Sequence, residues 1–211
     1  MIIAVDGPTA SGKGTIAARL AAHYGLKRLD TGALYRAVGL AALDAGADPA
    51  DENAAVAAAE ALDLGAIDEA RIRTSAAGVA ASHVAAIPAV RAVLRRAQRA
   101  FAADPKGAVL DGRDIGTVIC PDATVKLFVT ASLPVRTQRR LAELRARGEQ
   151  ISYADLERQI ADRDARDMNR KDSPLRPASD AHLLDTTDLS IEAAVEAARR
   201  IVDTALAQPG A

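Results

Sequence analysis

A glycine-rich stretch containing a lysine lies near the start of the chain and has the clearest chemical meaning in the sequence. It consists of nine residues: Gly7, Pro8, Thr9, Ala10, Ser11, Gly12, Lys13, Gly14 and Thr15. Glycines let a backbone turn tightly enough for its N–H groups to surround an anion, and a following helix offers its positive N-terminal end to the same anion. The spacing of the two glycines and the lysine therefore predicts a loop whose nine residues bind the phosphates of a nucleoside triphosphate.

Lys13 and Thr15 have distinct predicted roles in this loop. Lys13 supplies a mobile positive charge for the β and γ phosphate oxygens, and we expect it to be catalytic. Gly14 occupies the position where such loops usually have Ser or Thr, and Thr15 follows it. We therefore predict Thr15 as the hydroxyl ligand of a Mg²⁺ ion. A glycine-rich turn with an exposed lysine is the alternative, but an apolar run precedes the loop and a helical pattern follows it.

A second set of residues combines arginine with aspartate. The segment 111–117 reads DGRDIGT and contains Arg113 and Asp114, while Arg36 lies one turn into a predicted helix. Further along the chain, four charged residues share one predicted helical face: Arg163, Arg166, Asp167 and Arg170. Converging guanidinium groups are suited to holding phosphates bidentately. For the helical set alone, a solvated face of Asp–Arg pairs remains the alternative.

The two sets together predict phosphoryl transfer to an anionic acceptor. A monophosphate carries about −2 charge near pH 7 beside about −4 for a triphosphate, so Coulomb repulsion is the main obstacle. The nucleophile is then an anionic phosphate oxygen and needs no general base, which agrees with the absence of a Ser-His-Asp or Cys-His arrangement. Catalysis would consist of positioning and charge neutralisation, for which we predict Mg²⁺ and four side chains: Lys13, Arg113, Arg163 and Arg166.

The elements that position these residues are predicted to form an α/β domain. Five apolar runs predict the strands of a parallel sheet: 2–5, 27–30, 108–111, 125–129 and 182–185. Three of them end in aspartates, Asp30, Asp111 and Asp185, at the strand ends where ligands of open α/β sheets bind. Each of these aspartates could equally begin a turn or cap a helix.

Helical patterns fill the intervals between the strands. They cover about 13–24, 32–45, 53–62, 89–103, 133–147, 154–170 and 190–207. Gly46 and Gly148 are placed to end helices in the left-handed conformation, and Ser190 is placed to cap the last helix. The polar stretch 63–88 is interpreted as an irregular insert, and residues 208–211 are expected to be frayed.

Composition excludes several other classes of protein. The chain has 211 residues, 2% aromatic residues, no Trp and a net charge of −1, so a strongly basic nucleic-acid-binding protein is excluded. The single cysteine, Cys120, cannot form an internal disulfide, and three scattered histidines give no zinc-ligand spacing. Charges or glycines interrupt every apolar run, so no membrane segment is predicted. We expect one cytoplasmic domain over 1–211, monomeric and without nucleic-acid or membrane partners.

Five stretches together resemble the bacterial cytidylate kinase family, within the nucleoside monophosphate kinases. They are GPTASGKGT (7–15), LDTGALYRA (29–37), ASHVAAIPAVR (81–91), DGRDIGT (111–117) and RDMNRKDSPLRPA (166–178). The resemblance implies a P-loop kinase fold: a five-stranded parallel sheet flanked by helices, a small monophosphate-binding insert at about 63–90 and a lid at about 147–175. It also implies a (d)CMP kinase, which transfers the γ-phosphoryl group of ATP, with Mg²⁺, to CMP or dCMP in pyrimidine nucleotide metabolism.

The resemblance also assigns acceptor-binding residues, each by its match to a family motif. Arg36 and Arg113 correspond to residues that contact the phosphate of the monophosphate, and Thr31 to a small hydroxyl residue near the acceptor. The positions around the cytosine correspond to Ser82, Arg91, Asp114 and Arg170. Those around the pentose correspond to Arg163 and Asp167. Family members usually carry a longer, strand-rich insert near 62–72 than this chain has.

Two alternatives remain at this point. A kinase of another small anionic acceptor would use the same phosphate loop and arginines. A nucleotide-hydrolysing switch would also carry the loop, but no Asn-Lys-x-Asp motif for reading guanine is present. Formation of a diphosphate from an added monophosphate distinguishes a kinase from a switch, which yields only inorganic phosphate.

Overall fold

The sheet is parallel and has the strand order β2-β3-β1-β4-β5 in a computed structural model that describes residues 1–207. The strands are β1 (Ile2–Asp6), β2 (Lys27–Asp30), β3 (Ala108–Gly112), β4 (Val125–Thr130) and β5 (His182–Asp185). β1 pairs in parallel with β3 and β4, and β4 pairs in parallel with β5. The five predicted strands are thereby confirmed, and the expected frayed tail at 208–211 lies outside the described residues.

The helices follow the predicted positions closely, with one addition. They are α1 (Lys13–Tyr24), α2 (Thr31–Asp44), α3 (Glu52–Glu60), α4 (Ser75–Val84), α5 (Pro88–Ala102), α6 (Leu133–Ala146), α7 (Tyr153–Asn169) and α8 (Ile191–Leu206). Gly46 and Gly148 have φ of 72° and 80°, and the Ser190 hydroxyl accepts a hydrogen bond from the Ala193 N–H, as predicted. No single helix within residues 1–207 is long and apolar enough to cross a membrane, although the bent pair α4 and α5 passes by length and composition.

The described residues form two compact units, of which the first comprises Met1–Leu29 and residues 101–207. Its main core joins β1, β4, α1 and α8 through buried aliphatic side chains, including Ile3, Val5, Leu20, Leu127 and Val202. A second apolar cluster joins β3 to the residues that follow it, including Leu110, Ile115 and Ile119. Burial of both faces explains why the inner strands are continuous apolar runs in the sequence. Because the inner strands are buried, their carboxyl ends lie in fixed positions at one edge of the sheet, where polar residues follow them.

The second unit comprises Asp30–Ala100 and is helical. The interpretation of 63–88 as irregular is wrong in its second half, because α4 lies there. The Thr74 hydroxyl caps α4 by accepting a hydrogen bond from the Ala77 N–H. α2 and α4 pack closely at Gly39, where a Cβ atom would lie 2.8 Å from the Cβ of Ala80. The first half, in place of the strand-rich insert of the family, forms two short 3₁₀ turns at Leu64–Ala66 and Arg71–Arg73.

Candidate active site

The predicted phosphate loop runs from the end of β1 into the first turn of α1. Gly12 is the N-cap of α1 with φ of 89°, and no side chain caps this helix end. Ala10 has φ of 57°, a left-handed conformation that a non-glycine residue adopts at a cost in energy. Such strain is typical of ligand-binding loops, and the uncapped N–H groups of α1 provide the anion-binding end of a helix. The loop geometry therefore fits the predicted binding of phosphates.

The carbonyl groups of the loop are held by side chains from several elements. The Lys13 ammonium donates to the Pro8 carbonyl at 3.1 Å, and Arg136 of α6 donates to the Thr9 carbonyl at 3.3 Å. The Thr186 hydroxyl donates to the Ser11 carbonyl at 3.0 Å. Occupied carbonyl oxygens leave the loop amides available to face an anion. These bonds restrain the backbone of the loop.

Ser11 is a residue of the phosphate loop whose hydroxyl group lacks a polar partner. Its side chain is fully buried, and its hydroxyl has no hydrogen-bond partner within the described residues. A buried hydroxyl without a partner is uncommon and costs free energy, so it often marks a ligand-binding position. A phosphate oxygen is a suitable partner because it is a strong acceptor.

The oxygen donors beside the loop fit a Mg²⁺ ion. Thr15 lies in the first turn of α1, and a Cβ atom on Gly14 would lie 3.6 Å from Oδ2 of Asp111. Mg²⁺ in nucleotide sites keeps several waters and takes one or two protein oxygens together with phosphate oxygens. No group of three or more His, Cys, Asp or Glu residues that could hold a metal occurs within residues 1–207. Thr15 and Asp111 therefore fit the one or two protein oxygens that such an ion takes.

Arg28 is an unpredicted basic residue at this end of the sheet. Its Nε and Nη2 atoms both bind Oδ1 of Asp111, at 2.9 Å and 2.8 Å. A Cβ atom on Gly14 would lie 3.3 Å from the same Nη2. The glycine thus leaves space for the guanidinium group, which orients the Asp111 carboxylate beside the start of α1.

Arg113, Asp167 and Arg170 form a buried charged cluster in the first unit. The Arg113 Nε donates to Oδ2 of Asp167 at 2.8 Å, and Arg170 lies 3.5 Å from the other carboxylate oxygen. Burial alone would raise the pKa of Asp167, but the positive charges of Arg113, Arg163 and Arg170 outweigh burial and lower the pKa. Asp167 therefore stays ionised and draws guanidinium groups together.

The remaining arginines of the predicted helical face differ in exposure. Arg163 is partly buried and acts on Asp167, whereas Arg166 is exposed on α7. A neighbouring buried pair joins α7 to α6, because Asp164 lies 2.7 Å from Arg136, the same arginine that binds the Thr9 carbonyl. The structure thus links α7 to the phosphate loop through one side chain.

Asp6 is a buried carboxyl group that sequence reasoning did not select. It is the last residue of β1 and accepts hydrogen bonds from the N–H groups of Ile115 and Gly116, each at 2.8 Å. Burial is the largest influence and raises its pKa to about 7. A carboxyl with such a shifted pKa beside a phosphate loop is a candidate functional residue.

The predicted acceptor residues of the second unit lie on three helices. Thr31 begins α2, where the Asp30 carboxylate caps the helix and accepts a hydrogen bond from Arg36 Nη2 at 2.8 Å. The Arg36 Nε is buried without a hydrogen-bond partner in the described part of the chain. Ser82 is buried on α4. Arg91 is buried on α5, with its guanidinium carbon 5.7 Å from the centre of the Tyr35 ring.

Ser82 and Arg91 are buried polar residues within a helical unit, and Arg36 is partly buried with an Nε that is unpaired within the described residues. Asp30, one of the three strand-end aspartates, is a helix cap that also pairs with Arg36. Asp111 pairs with Arg28, and Asp185 accepts hydrogen bonds from the N–H and hydroxyl groups of Thr187. The structural alternative, a helix cap or a turn, is therefore observed for Asp30, which caps α2, and for Asp185, which bonds to Thr187 two residues on.

Solved structures share this fold at low sequence identity. An uncharacterized protein from Eubacterium ventriosum ATCC 27560 aligns with a TM-score of 0.54 and 14% identity, covering 97% of this chain and 99% of that one. TT1252 from Thermus thermophilus aligns with a TM-score of 0.51 and 21% identity, covering 99% of this chain and 98% of that one. These similarities concern the fold alone.

Sequence relatives are much closer. A curated cytidylate kinase of Brucella suis biovar 1 (strain 1330) is 58% identical over 207 residues, which cover 98% of this chain and 94% of that protein. A cytidylate kinase of Brucella ovis has the same identity and coverage. The family model described as Cytidylate kinase matches residues 3–204, a range that includes the phosphate loop and the buried arginine cluster. The chain therefore belongs to the cytidylate kinase family.

Proposed function

We propose that this protein transfers the γ-phosphoryl group of ATP to CMP or dCMP, giving ADP and CDP or dCDP. The observation that carries the proposal is the family match over residues 3–204, which includes both the phosphate loop and the Arg113–Asp167–Arg170 cluster. In this proposal the protein is a monomeric cytoplasmic enzyme of pyrimidine nucleotide metabolism. It acts on small molecules and has neither nucleic-acid nor membrane partners.

The phosphate loop is assigned to ATP. Its amides and the N-terminal end of α1 would surround the β and γ phosphates, while the Lys13 ammonium moves from the Pro8 carbonyl to a phosphate oxygen. Thr15 and Asp111 are the oxygen donors proposed to hold Mg²⁺, directly or through water. When bound, Mg²⁺ would supply charge neutralisation between the β and γ phosphates.

The catalytic roles are assigned to Lys13 and three arginines: Arg113, Arg163 and Arg166. Transfer between phosphates moves negative charge without forming a new charged side chain, so fixed cations stabilise the transition state. Asp167 keeps the Arg113 guanidinium oriented by binding its Nε. Arg166 is exposed on α7, on the same helical face as Arg163.

Acceptor-binding roles are assigned within each unit by itself. In the second unit, the buried Arg36 Nε supports a phosphate role, Thr31 is placed near the acceptor, and buried Ser82 and Arg91 are assigned to the cytosine. In the first unit, Arg113 is assigned to the monophosphate. Asp114 and Arg170 are assigned to the cytosine. Arg163 and Asp167 are assigned to the pentose. Arginine can donate to the O2 and N3 of cytosine, and a carboxylate can accept from its amine.

An acceptor panel tests the proposal directly. The purified protein would be incubated with ATP and Mg²⁺ and with CMP, dCMP, UMP, AMP or GMP, and diphosphate products would be measured. We expect CDP and dCDP at the highest kcat/KM. Transfer only to an unrelated anionic acceptor, or release of inorganic phosphate without a diphosphate, would favour one of the two alternative functions.

The segment 147–175 is expected to close as a lid when both substrates bind. Gly148 and Ser173 adopt left-handed conformations near its ends, with φ of 80° and 54°, and can act as hinge positions. α7 between them carries arginines that bound phosphates would attract. Closure would exclude water, the competing nucleophile. Hydrogen exchange should therefore slow in 147–175 when CMP and a non-hydrolysable ATP analogue are both present.

α8 provides the control for this experiment, because it packs against the sheet through Ala198 and Val202 and is not assigned to any ligand. Its exchange should change little. Equal exchange of 147–175 with and without ligands would contradict the lid interpretation.

Asp114 is expected to select cytosine over uracil. Cytosine presents an amine donor where uracil presents the acceptor O4, and a buried carboxylate facing O4 would be left unpaired. In Asp114→Asn, the amide can rotate and donate to O4. We expect the CMP-to-UMP ratio of kcat/KM to fall about tenfold or more, because unpaired polar groups discriminate strongly.

Steady-state kinetics of both substrates would measure this ratio. If CMP and UMP are slowed alike, Asp114 holds its neighbour Arg113 instead, and base selection passes to Ser82, Arg91 and Arg170. In that case Asp114 has a structural role and does not select the base.

A further inference from the structure

Asp6 joins the phosphate-loop strand to the segment that carries Arg113 and Asp114. Its carboxylate is 5% exposed and uses both oxygens, Oδ1 accepting from the Ile115 N–H and Oδ2 from the Gly116 N–H. The next residue after Asp6 is Gly7, the first of the phosphate loop. The Asp6 side chain therefore connects the phosphate loop, which is assigned to ATP, with the segment of Arg113 and Asp114, which is assigned to the acceptor.

The sheet itself does not extend to Arg113. In the β1–β3 ladder, Asp6 is the partner of Gly112, where β3 ends. Asp114 has left the extended conformation, with φ of −142° and ψ of 23°, and Ile115–Ile119 forms a single π-helical turn. The two hydrogen bonds to Asp6 hold the first two amides of this turn. The pairing of β1 with β3 cannot orient the residues that follow Gly112, because the ladder ends there.

We propose that Asp6 is a positioning residue, which fixes the Arg113–Asp114 segment relative to the phosphate loop so that phosphoryl transfer is efficient. The inference rests on the proposed function for its kinetic consequence. Its geometric part, the bonding of the turn to β1, can be tested without any turnover.

Both carboxylate oxygens are needed for this role. An asparagine at this position can accept one of the two hydrogen bonds, but its amide group would point an N–H donor at the other N–H. Asp6→Asn is close in size, so it removes the double acceptor with little change in packing volume. The variant therefore tests the hydrogen bonds rather than the core.

Protonation of Asp6 has a similar effect to the amide. Burial raises its pKa to about 7; the two backbone hydrogen bonds and the positive charge of Arg113 lower it, and the negative charge of Asp114 raises it. Other charged groups on the adjacent strands are paired: Asp111 of β3 with Arg28, and Lys126 of β4 with Asp180. Below about pH 7, an O–H replaces one acceptor, and the turn should loosen.

The kinetic experiment compares wild type with Asp6→Asn and with the control Asp203→Asn, which alters a surface carboxylate bonded to Tyr24. At pH 8 we expect Asp6→Asn to lower kcat/KM for CMP about 30-fold, within the 10²-fold that a misplacement of ~1 Å can cause, with the Kd for ATP unchanged within about threefold. The part of the wild-type loss of kcat/KM between about pH 7 and pH 6 that comes from Asp6 should be absent in Asp6→Asn, whereas protonation of the CMP phosphate, with a second pKa of about 6, affects both enzymes alike. Asp203→Asn should behave as wild type.

Unchanged kcat/KM in Asp6→Asn, or an equal loss of ATP affinity with the wild-type pH profile retained, would overturn the proposal. A purely structural role would lower the melting temperature and leave the pH profile in place.

Amide exchange separates this inference from the proposed function. In wild type, the protection factors of the Ile115 and Gly116 amides should fall as pH decreases from 8 to 6. This measurement uses the wild-type protein alone, so it depends neither on the folding of a variant nor on an acceptor. Protection that does not depend on pH would contradict the proposed positioning of the turn by Asp6. If the acceptor panel finds no CMP phosphorylation while this protection still changes with pH, the proposed function fails, whereas the positioning of the turn by Asp6 stands.

Discussion

Lys13→Ala is expected to reduce kcat for phosphoryl transfer at least 10²-fold, the usual loss when a preorganised cationic or hydrogen-bonding group is removed from a transition state. The ammonium lies in the first turn of α1 and reaches back to the Pro8 carbonyl at 3.1 Å, so it is already held over the phosphate loop. No other side chain in this loop carries a positive charge. The loop would therefore lose the only side-chain cation among its nine residues.

The fold should survive this substitution. Loss of one partly buried hydrogen bond costs only about 1 kcal/mol of unfolding free energy. Lys106→Ala, which changes an exposed lysine in the turn before β3, is the matched control. Kinetics and thermal unfolding of both variants would be measured side by side. A Lys13→Ala enzyme that retains more than about a tenth of wild-type kcat would show that the loop acts without this charge.

Arg113→Lys is expected to lower kcat about 10²-fold although the positive charge is kept. The Arg113 guanidinium binds Asp167 through Nε at 2.8 Å, and its planar fork can present other N–H groups to a phosphate at the same time. An ammonium group on a flexible stem is a single point of charge. It can pair with the buried Asp167 or stabilise the phosphate, but it cannot do both in a fixed geometry.

The division of the effect between kcat and KM is the informative measurement. Stabilisation of charge during transfer predicts a loss in kcat, whereas simple binding of the acceptor predicts a higher KM with kcat unchanged. The second result would reassign Arg113 from catalysis to acceptor binding. Arg199→Lys, on the partly exposed face of α8, controls for a general effect of replacing arginine by lysine.

Local sequence signals were sufficient to predict the five strands, seven of the helices and the phosphate loop. Each depends on residues close in sequence: apolar runs for strands, glycines and Ser190 at helix ends, and a glycine pattern before Lys13. Helix α4 was missed because its alanines give little contrast between a buried and an exposed face, so the period of 3.6 residues is faint. Its cap, Thr74, was the available local signal.

The side-chain partners of the candidate site depended on the tertiary structure. The bonds from Asp6 to the Ile115 turn and from Arg28 to Asp111 join residues 109 and 83 positions apart. The Arg113–Asp167 pair spans 54 positions, and the bond from Arg136 to the Thr9 carbonyl spans 127. No periodicity or motif encodes such pairings, because they arise when parallel strands bring distant chain segments to one edge of the sheet.

The sequence by itself therefore determined what kind of chemistry this protein carries, since a phosphate loop is built from consecutive backbone groups. It also predicted Arg113 and Asp167 as members of the site, through their motifs. Only the tertiary structure decided that Asp167 orients Arg113 and that Asp6 holds the turn that follows Arg113. The physical reason is that a buried charge must find its partner in space, and folding brings that partner from elsewhere in the chain.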